Sequence, residues 1–353
     1  METGSKSLSV VILTDDKKGH FNQSCAVARL LPKSQIDSIL IQYKSRIHQL
    51  ILSLLTYVPL PKPLIPFLLT QSLKKDSYPP IASTSCDIVI STGASLNAPN
   101  LFLSKLKSAK SVVVMKPSWG WKKQYDLQII PKHDTSSFFH LKQSNAVVTL
   151  GAPTFINEKE LKTEAQNLLT TLKLPWVKDP FQKYISLFIG GNSSHHHLTV
   201  AMVHSMIQKL SSILQEKDLH LLITTSRRTP QDVVYYLQNT LSHHPRYALL
   251  TQPENLIPGM MGLSELILVT EDSISMISEA ASSGKKVIVI QTHPDQKKSK
   301  HRKFIQELVQ EKYIDLAPLP TLDKIMVQKL ESTMPPKVLN DSDAIQQALT
   351  RLL

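Results

Sequence analysis

Three polar runs in this chain each follow an apolar stretch, and their residue types suit an anionic, hydroxylated ligand. Gly190-Gly191-Asn192-Ser193-Ser194 follows the apolar residues 185–189. Glycine lets backbone N–H groups approach an oxyanion, and serine hydroxyls add donors. The run is not a Walker A loop, because Gly-Lys-Ser/Thr is missing, and it lacks the full dinucleotide fingerprint. Glycine at a strand–helix turn also serves geometry alone. Thr225-Ser226-Arg227-Arg228-Thr229-Pro230 follows residues 219–224, and arginine forks pair bidentately with phosphate. Its plainer reading is an exposed cation pair ahead of a helix. The third run, Thr270-Glu271-Asp272-Ser273, opens a helix with free N–H groups and with Ser275 in its first turn. Glu279 on that helix could accept hydrogen bonds from a ribose diol, or be an ordinary exposed glutamate.

The N-terminal half offers a different chemistry. Asp15-Asp16-Lys17-Lys18-Gly19-His20 follows the apolar residues 8–14. An imidazole placed there could act as general base on an acceptor hydroxyl, since it titrates near working pH. A histidine opening a helix also serves as a capping or packing residue. Lys18 and Gly19 would lie on the acceptor side, with Thr92 and Gly93 of Thr92-Gly93-Ala94-Ser95 lining the same place from a neighbouring strand. His133-Asp134 is a candidate oriented histidine. His195-His196-His197 resembles a metal tract, but consecutive positions project at different angles and no Cys or Asp partner is visible. A solvated helix start is expected there, and no metal site.

These groups need elements to hold them. Residues 262–290 read as strand, polar loop, helix and strand, the helix stopping at Gly284, so the two strands run parallel through a right-handed crossover. Further strands are expected at 8–14, 36–42, 87–91, 111–115, 127–130, 185–189 and 219–224, with helices at 198–215, 231–241, 303–311 and 342–353. Repeated β-loop-α units make open parallel sheets, whose ligands bind beyond the carboxyl ends of the strands. The proline-bearing residues 173–181 mark a boundary, predicting domains at 1–172 and 182–334 and a linker and helix at 335–353. Residues 44–75 break the pattern: Ile47, Leu50, Ile51, Leu54, Leu55 and Val58 share a helical face, Pro59, Pro61 and Pro63 interrupt, and lysines flank both ends. The expectation is a buried helical hairpin, with an interfacial contact to an anionic membrane surface as the alternative.

At 353 residues the chain can build two cores, and 42% hydrophobic residues are too few for a multi-span membrane protein. The formal charge of +12 favours anionic partners, with clusters at Lys17-Lys18, Lys74-Lys75, Lys122-Lys123, Arg227-Arg228 and residues 297–303. No nucleic-acid module with an aromatic platform is present, so nucleic acid is not the expected partner. Cys25 and Cys86 make no disulfide framework, and the start lacks a signal-type apolar core, which predicts a cytoplasmic protein, peripheral at most to a membrane.

The order of these motifs resembles a family, that of the plant mitochondrial-fission protein named for its elongated-mitochondria mutant, with many bacterial homologues. Leu13-Thr14-Asp15, Lys18-Gly19-His20-Phe21-Asn22-Gln23, Thr225–Pro230 and 270–280 carry the likeness, which spans residues 8–315. The resemblance implies an α/β, GT-B-like fold, two Rossmann-like domains with parallel sheets facing a central cleft. A more distant similarity is to the peptidoglycan enzyme that moves N-acetylglucosamine from its uridine diphosphate donor to a lipid-linked acceptor. Gly19-His20 matches its acceptor-side pair, Gly190-Gly191-Asn192 its Gly-Gly-Ser loop, and Glu279 its ribose-binding glutamate. This chain departs in its Asp-Asp-Lys-Lys-Gly-His first loop and in Asn192 where serine is usual.

The resemblance thus implies a nucleotide diphosphate sugar as co-substrate, with no covalently bound cofactor and no metal. Gly190, Gly191, Asn192, Ser226, Arg227, Arg228, Glu271, Asp272, Ser273, Ser275 and Glu279 would bind it, and His20 would deprotonate the acceptor. The rival expectations are a non-catalytic scaffold recruiting a protein partner to a membrane, and a nucleotide-sugar epimerase. Oligomeric state has no sequence signal here.

Overall fold

Runs of Val, Ile and Leu without polar alternation suit strands buried on both faces of a parallel sheet. A computed structural model describes residues 7–117, 124–135, 145–172, 182–193, 195–241, 244–251, 256–293 and 299–353. The join at 173–181, Ser194, the Lys122-Lys123 pair and residues 297–298 of the basic run lie outside the described residues. Two compact units result, residues 1–155 with 341–353, and residues 156–340.

In the first unit the order is β1 (Leu8–Thr14), α1 (Lys18–Ala28), β2 (Ser34–Leu40), α2 (Arg46–Leu55), α3 (Leu64–Ser72) and α4 (Tyr78–Ser83). Then follow β3 (Ile88–Thr92), α5 (Asn97–Lys107), β4 (Lys110–Val114), β5 (Leu127–Pro131) and β6 (Ala146–Thr149). The six strands form one sheet ordered β2-β1-β3-β4-β5-β6, with every pair parallel. Val10, Ile12, Ile88, Ile90, Val112 and Val114 build the core on one side. Val11, Leu13, Val89, Leu52, Ile65 and Leu69 build it on the other.

The second unit runs α6 (Glu158–Thr171), β7 (Lys183–Ile189), α7 (Val200–Glu216), β8 (Leu219–Thr225), α8 (Gln231–Leu241), β9 (Tyr247–Leu249) and α9 (Leu256–Leu263). It continues with β10 (Ser264–Thr270), α10 (Ile274–Ser282), β11 (Lys286–Gln291), α11 (Lys300–Gln310), β12 (Asp315–Pro318) and α12 (Leu322–Glu331). Its parallel sheet is ordered β12-β11-β10-β7-β8-β9. Gly284, at φ +70°, closes α10 as the left-handed residue past a helix end.

The packing divides the chain differently from the sequence boundary in two places. Helix α6 joins the second unit, packing on α9, where Gly259 and Gly262 let the two backbones close up; a Cβ at Gly262 would collide with the Leu161 carbonyl. The final helix, α13 (Ser342–Leu352), returns to the first unit and buries Ile345 and Leu349 in its core. Asp341 pins that return by accepting the N–H groups of Leu150 at 2.9 Å and Gly151 at 2.8 Å. Such long-range partners leave no local pattern.

The helical pair expected at 44–75 forms as α2 and α3, but it is not wholly buried. Leu52, Ile65 and Leu69 face the core while Ile47, Leu50, Ile51, Leu54 and Phe67 stay exposed. A period can place residues on one face without revealing whether anything covers it. Among the described residues no helix is long and apolar enough to cross a membrane.

Candidate functional sites at the two sheet switch points

Each sheet has one place where the chain reverses its direction of travel across the strands. In the second unit the chain moves outward from β7 to β8 and β9, then returns to place β10 on the other flank of β7. In the first, it moves from β1 to β2 and returns with β3 on the other flank of β1. Loops diverge at these points beyond the strand carboxyl ends, which is where open α/β sheets bind ligands.

At the second-unit switch point the three polar runs do converge, on the carboxylate of Asp272. Its Oδ2 accepts the Gly191 N–H at 2.9 Å and Arg228 Nη2 at 3.0 Å, and its Oδ1 accepts the Thr270 hydroxyl at 2.7 Å. The Gly190 N–H donates in turn to Thr270 Oγ1 at 2.8 Å. The expected cradle therefore changes form: both glycine N–H groups are already engaged inside the protein. What the glycines supply is closeness. A Cβ at Gly190 would overlap the Asp272 carboxylate, and one at Gly191 the backbone of Arg228 and Thr229.

Several other expected binding residues also brace the site from within. Asn192 donates its N–H to the Arg228 carbonyl at 3.0 Å, and its Oδ1 accepts the Leu198 N–H at 2.9 Å. Ser226 donates its N–H to Ile189 and Thr229, while its hydroxyl accepts the Arg228 N–H at 3.2 Å. Glu271 is buried, and its Oε1 accepts the N–H groups of Thr292 at 2.8 Å and His293 at 2.7 Å. Both carboxylates are thus engaged by hydrogen-bond partners inside the protein.

The groups that face outward are fewer. Arg227 is exposed, and the Arg228 side chain keeps 41% exposure beside an Asp272 carboxylate at 6%. Five guanidinium N–H donors exceed what Asp272 and the Asn192 carbonyl can take. Ser273, by contrast, is buried and caps α10, its hydroxyl accepting the Met276 N–H at 3.5 Å and lying 3.3 Å from the Ser275 hydroxyl. Ser275 is half-buried in the first turn, and Glu279 is half-buried one turn further along.

The expected solvated histidine tract is partly wrong. His195 and His197 are exposed, but His196 is buried, with its ring centroid 5.6 Å from His293 and 5.4 Å from His301. Burial holds both His196 and His301 below the usual imidazole range, against the pull of the Asp272 charge. This three-ring cluster, drawn from positions a hundred residues apart, had no signature in the sequence. Among the described residues no group of His, Cys, Asp and Glu has the arrangement of a metal site.

The first-unit switch point is built around a carboxylate–imidazole pair. His20 Nδ1 lies 3.1 Å from Asp15 Oδ1, while Asp15 Oδ2 accepts Lys17 Nζ at 2.6 Å and the Ser95 hydroxyl at 2.7 Å. Burial opposes the Asp15 charge, yet the hydrogen bonds from His20, Lys17 and Ser95 prevail and hold the carboxyl well below its usual range. Asp15 is thus a fixed anion that sets the ring orientation and leaves Nε2 as the nitrogen turned away from it. Gly93, at φ +98°, makes room for the ring; a Cβ there would stand 2.5 Å from His20 Cε1.

Thr92 does not line this place, because its hydroxyl is buried against the Ser24 hydroxyl at 2.7 Å and ties β3 to α1. Lys18 is exposed and Gly19 half-buried in the first turn of α1. His133 and Asp134 are both buried just past β5. The sequence singles out His20 but not the role of Asp15. The five-residue separation was visible, but the loop that folds one onto the other was not.

The family model described as Mitochondrial fission ELM1 matches residues 18–353. An uncharacterized protein of Rickettsia prowazekii is 26% identical over 331 residues, spanning 86% of this chain and 89% of its own. The UDP-GlcNAc 2-epimerase of Methanocaldococcus jannaschii matches with a TM-score of 0.59 at 14% identity, over 98% of this chain and 99% of that one. The glycotransferase of kitacinnamycin matches at 0.52 and 9% identity, over 99% and 94%. At such identities the likeness is one of fold: the chain has a GT-B-like α/β architecture, shared by epimerases and glycosyltransferases.

Proposed function

The chain belongs to the mitochondrial fission ELM1 family, and from that premise we propose that it binds a nucleotide diphosphate sugar in its second unit and transfers the sugar to an acceptor hydroxyl. The observation that carries the reading is Arg228. Its guanidinium is half exposed, anchored on buried Asp272, and stands at the switch point beside the N-terminus of α10. A preorganised guanidinium and a helix N-terminus stabilise a leaving diphosphate without rearranging as charge develops. Arg227, Ser273 and Ser275 would add donors, and Glu279 would take the ribose. Gly190, Gly191, Asn192, Ser226, Glu271 and Asp272 would hold those groups in place.

In the first unit His20 would take the acceptor proton on Nε2. Asp15, ionised and fixed on Nδ1, would orient the ring and stabilise the imidazolium that forms. Supporting the nucleotide-sugar reading, a matching epimerase structure from Methanocaldococcus jannaschii, with a TM-score of 0.54, is described as a complex with UDP-GlcNAc and UDP.

The test is thermal stabilisation of the full chain by uridine, guanosine, adenosine and cytidine diphosphates and their sugars. A ligand at about a hundred times its Kd adds about 2.7 kcal/mol to the native state. A base-selective shift that Arg228→Ala loses is expected. No shift with any nucleotide overturns the reading in favour of a scaffold, and sugar conversion without an acceptor turns it toward epimerisation.

A further inference from the structure

Independently of either switch point, we propose that the exposed face of α2 and α3 docks on an anionic lipid bilayer, lying along the surface without crossing it. Ile47, Leu50, Ile51 and Leu54 recur at helical spacing on one side of α2, while Leu52 on the other side is fully buried. Tyr57 and Val58, just past the end of α2, and Leu64 and Phe67 on α3 are exposed as well. Eight of the fourteen exposed large hydrophobic side chains among the described residues fall between 47 and 67. Scattered exposed apolar residues are ordinary, whereas a contiguous set marks a contact surface. At ten residues α2 is about 15 Å long, half of a bilayer core, so it can lie in an interface but not span it.

Charge selects the occupant. Residues 38–75 contain Lys44, Arg46, Lys62, Lys74 and Lys75, all exposed, and no Asp or Glu, the exposed Asp37 and Asp76 lying just outside this stretch. A second copy of this chain docked on the same face would set five cations against five. An anionic lipid surface instead attracts each of them while its acyl boundary takes the apolar stripe. Tyr57 suits the headgroup level, where amphipathic aromatic rings concentrate, and Phe67 suits the apolar side of the interface.

The experiment is sedimentation of the full chain with vesicles of phosphatidylcholine alone, or of phosphatidylcholine mixed with phosphatidylglycerol. Binding to the mixed vesicles is expected, weakened strongly at about 1 M salt, where the Debye length is about 3 Å. Leu50→Glu with Leu54→Glu should reduce partitioning at least about tenfold while leaving the melting temperature unchanged, since both side chains are exposed. Lys74→Glu with Lys75→Glu should remove the preference for anionic vesicles. Wild-type protein that stays in the supernatant with mixed vesicles overturns the proposal. So does a dimer in size-exclusion chromatography that the leucine variant splits while vesicle binding is absent in both.

Discussion

Arg228 and Asp272 form an ion pair, Nη2 to Oδ2 at 3.0 Å, that joins the loop after β8 to the loop after β10. The Gly191 N–H shares the same carboxylate oxygen, so three loops distant in sequence depend on one buried anion. This pairing is asymmetric. Asp272 is spent inside the protein, while Arg228 retains donors on its exposed side.

Gly190→Ala and Gly191→Ala should each destabilise the second unit by about 3 kcal/mol, because the added methyl meets a buried carboxylate in one case and backbone in the other. Urea unfolding would measure it. Alanine tolerated at both positions would refute the close packing described.

Removing Arg228 leaves Asp272 with the Gly191 N–H and the Thr270 hydroxyl, so the expected stability cost of Arg228→Ala is about 1–3 kcal/mol. Each variant's nucleotide shift must therefore be read against its own unliganded melt. Arg228→Lys should restore the ion pair but only part of the nucleotide shift, since an ammonium cannot bind bidentately.

His20→Asn should lower any transfer rate by about 10²–10⁴-fold. Asp15→Asn should also slow it, by releasing the ring from its orientation. Nucleotide-induced stabilisation should be unchanged in both, as the donor groups belong to the other unit. Gly93→Ala should mimic these losses, because its φ of +98° and the adjacent ring both exclude a methyl. Parallel rate and melt measurements separate a rate effect from unfolding.

The pH dependence of stability has a definite sign for Asp15. Its folded carboxyl titrates below its unfolded one, so the stabilisation is complete above the unfolded range and fades as pH falls through the acid range. The stability difference between wild type and Asp15→Asn should shrink from about pH 5 downward. A constant difference would mean the carboxylate charge is irrelevant to the fold.

His196 and His301 act at higher pH but in the same direction. Both are held below the imidazole range by burial, so the unfolded chain binds their protons first as pH falls. Their stabilisation is present above the unfolded imidazole range and lost as pH drops through the lowered folded values. Melts from about pH 8 to pH 5 should fall, and His301→Asn should flatten that slope. An unchanged slope would show that the cluster does not titrate with folding.

Strand–loop–helix order was readable because apolar runs and their polar ends are local properties. β1 over 8–14, the helix at 231–241 and the stop at Gly284 need only periodicity and one left-handed residue to be read. Strand ends also located His20, Arg228 and the run at 270–273, since ligand loops follow strands in this fold class. Not every element was legible: β9, β12 and α9 have too few residues to show a period, and the longer helices α6 and α12 are not read from the sequence either.

Partnership was a different matter, decided in three dimensions alone. Which atoms the Gly190 and Gly191 N–H groups meet depends on a carboxylate and a hydroxyl about eighty residues away. The buried ring of His196 and the return of α13 to the first unit have the same origin in long-range packing. The stripe on α2 shows the division most plainly. Its amphipathic period is written in the residues from Ile47 to Leu54, but whether the stripe is core or surface depends on what packs over it. Side-chain type and spacing determine a face; only the assembled chain determines what that face touches.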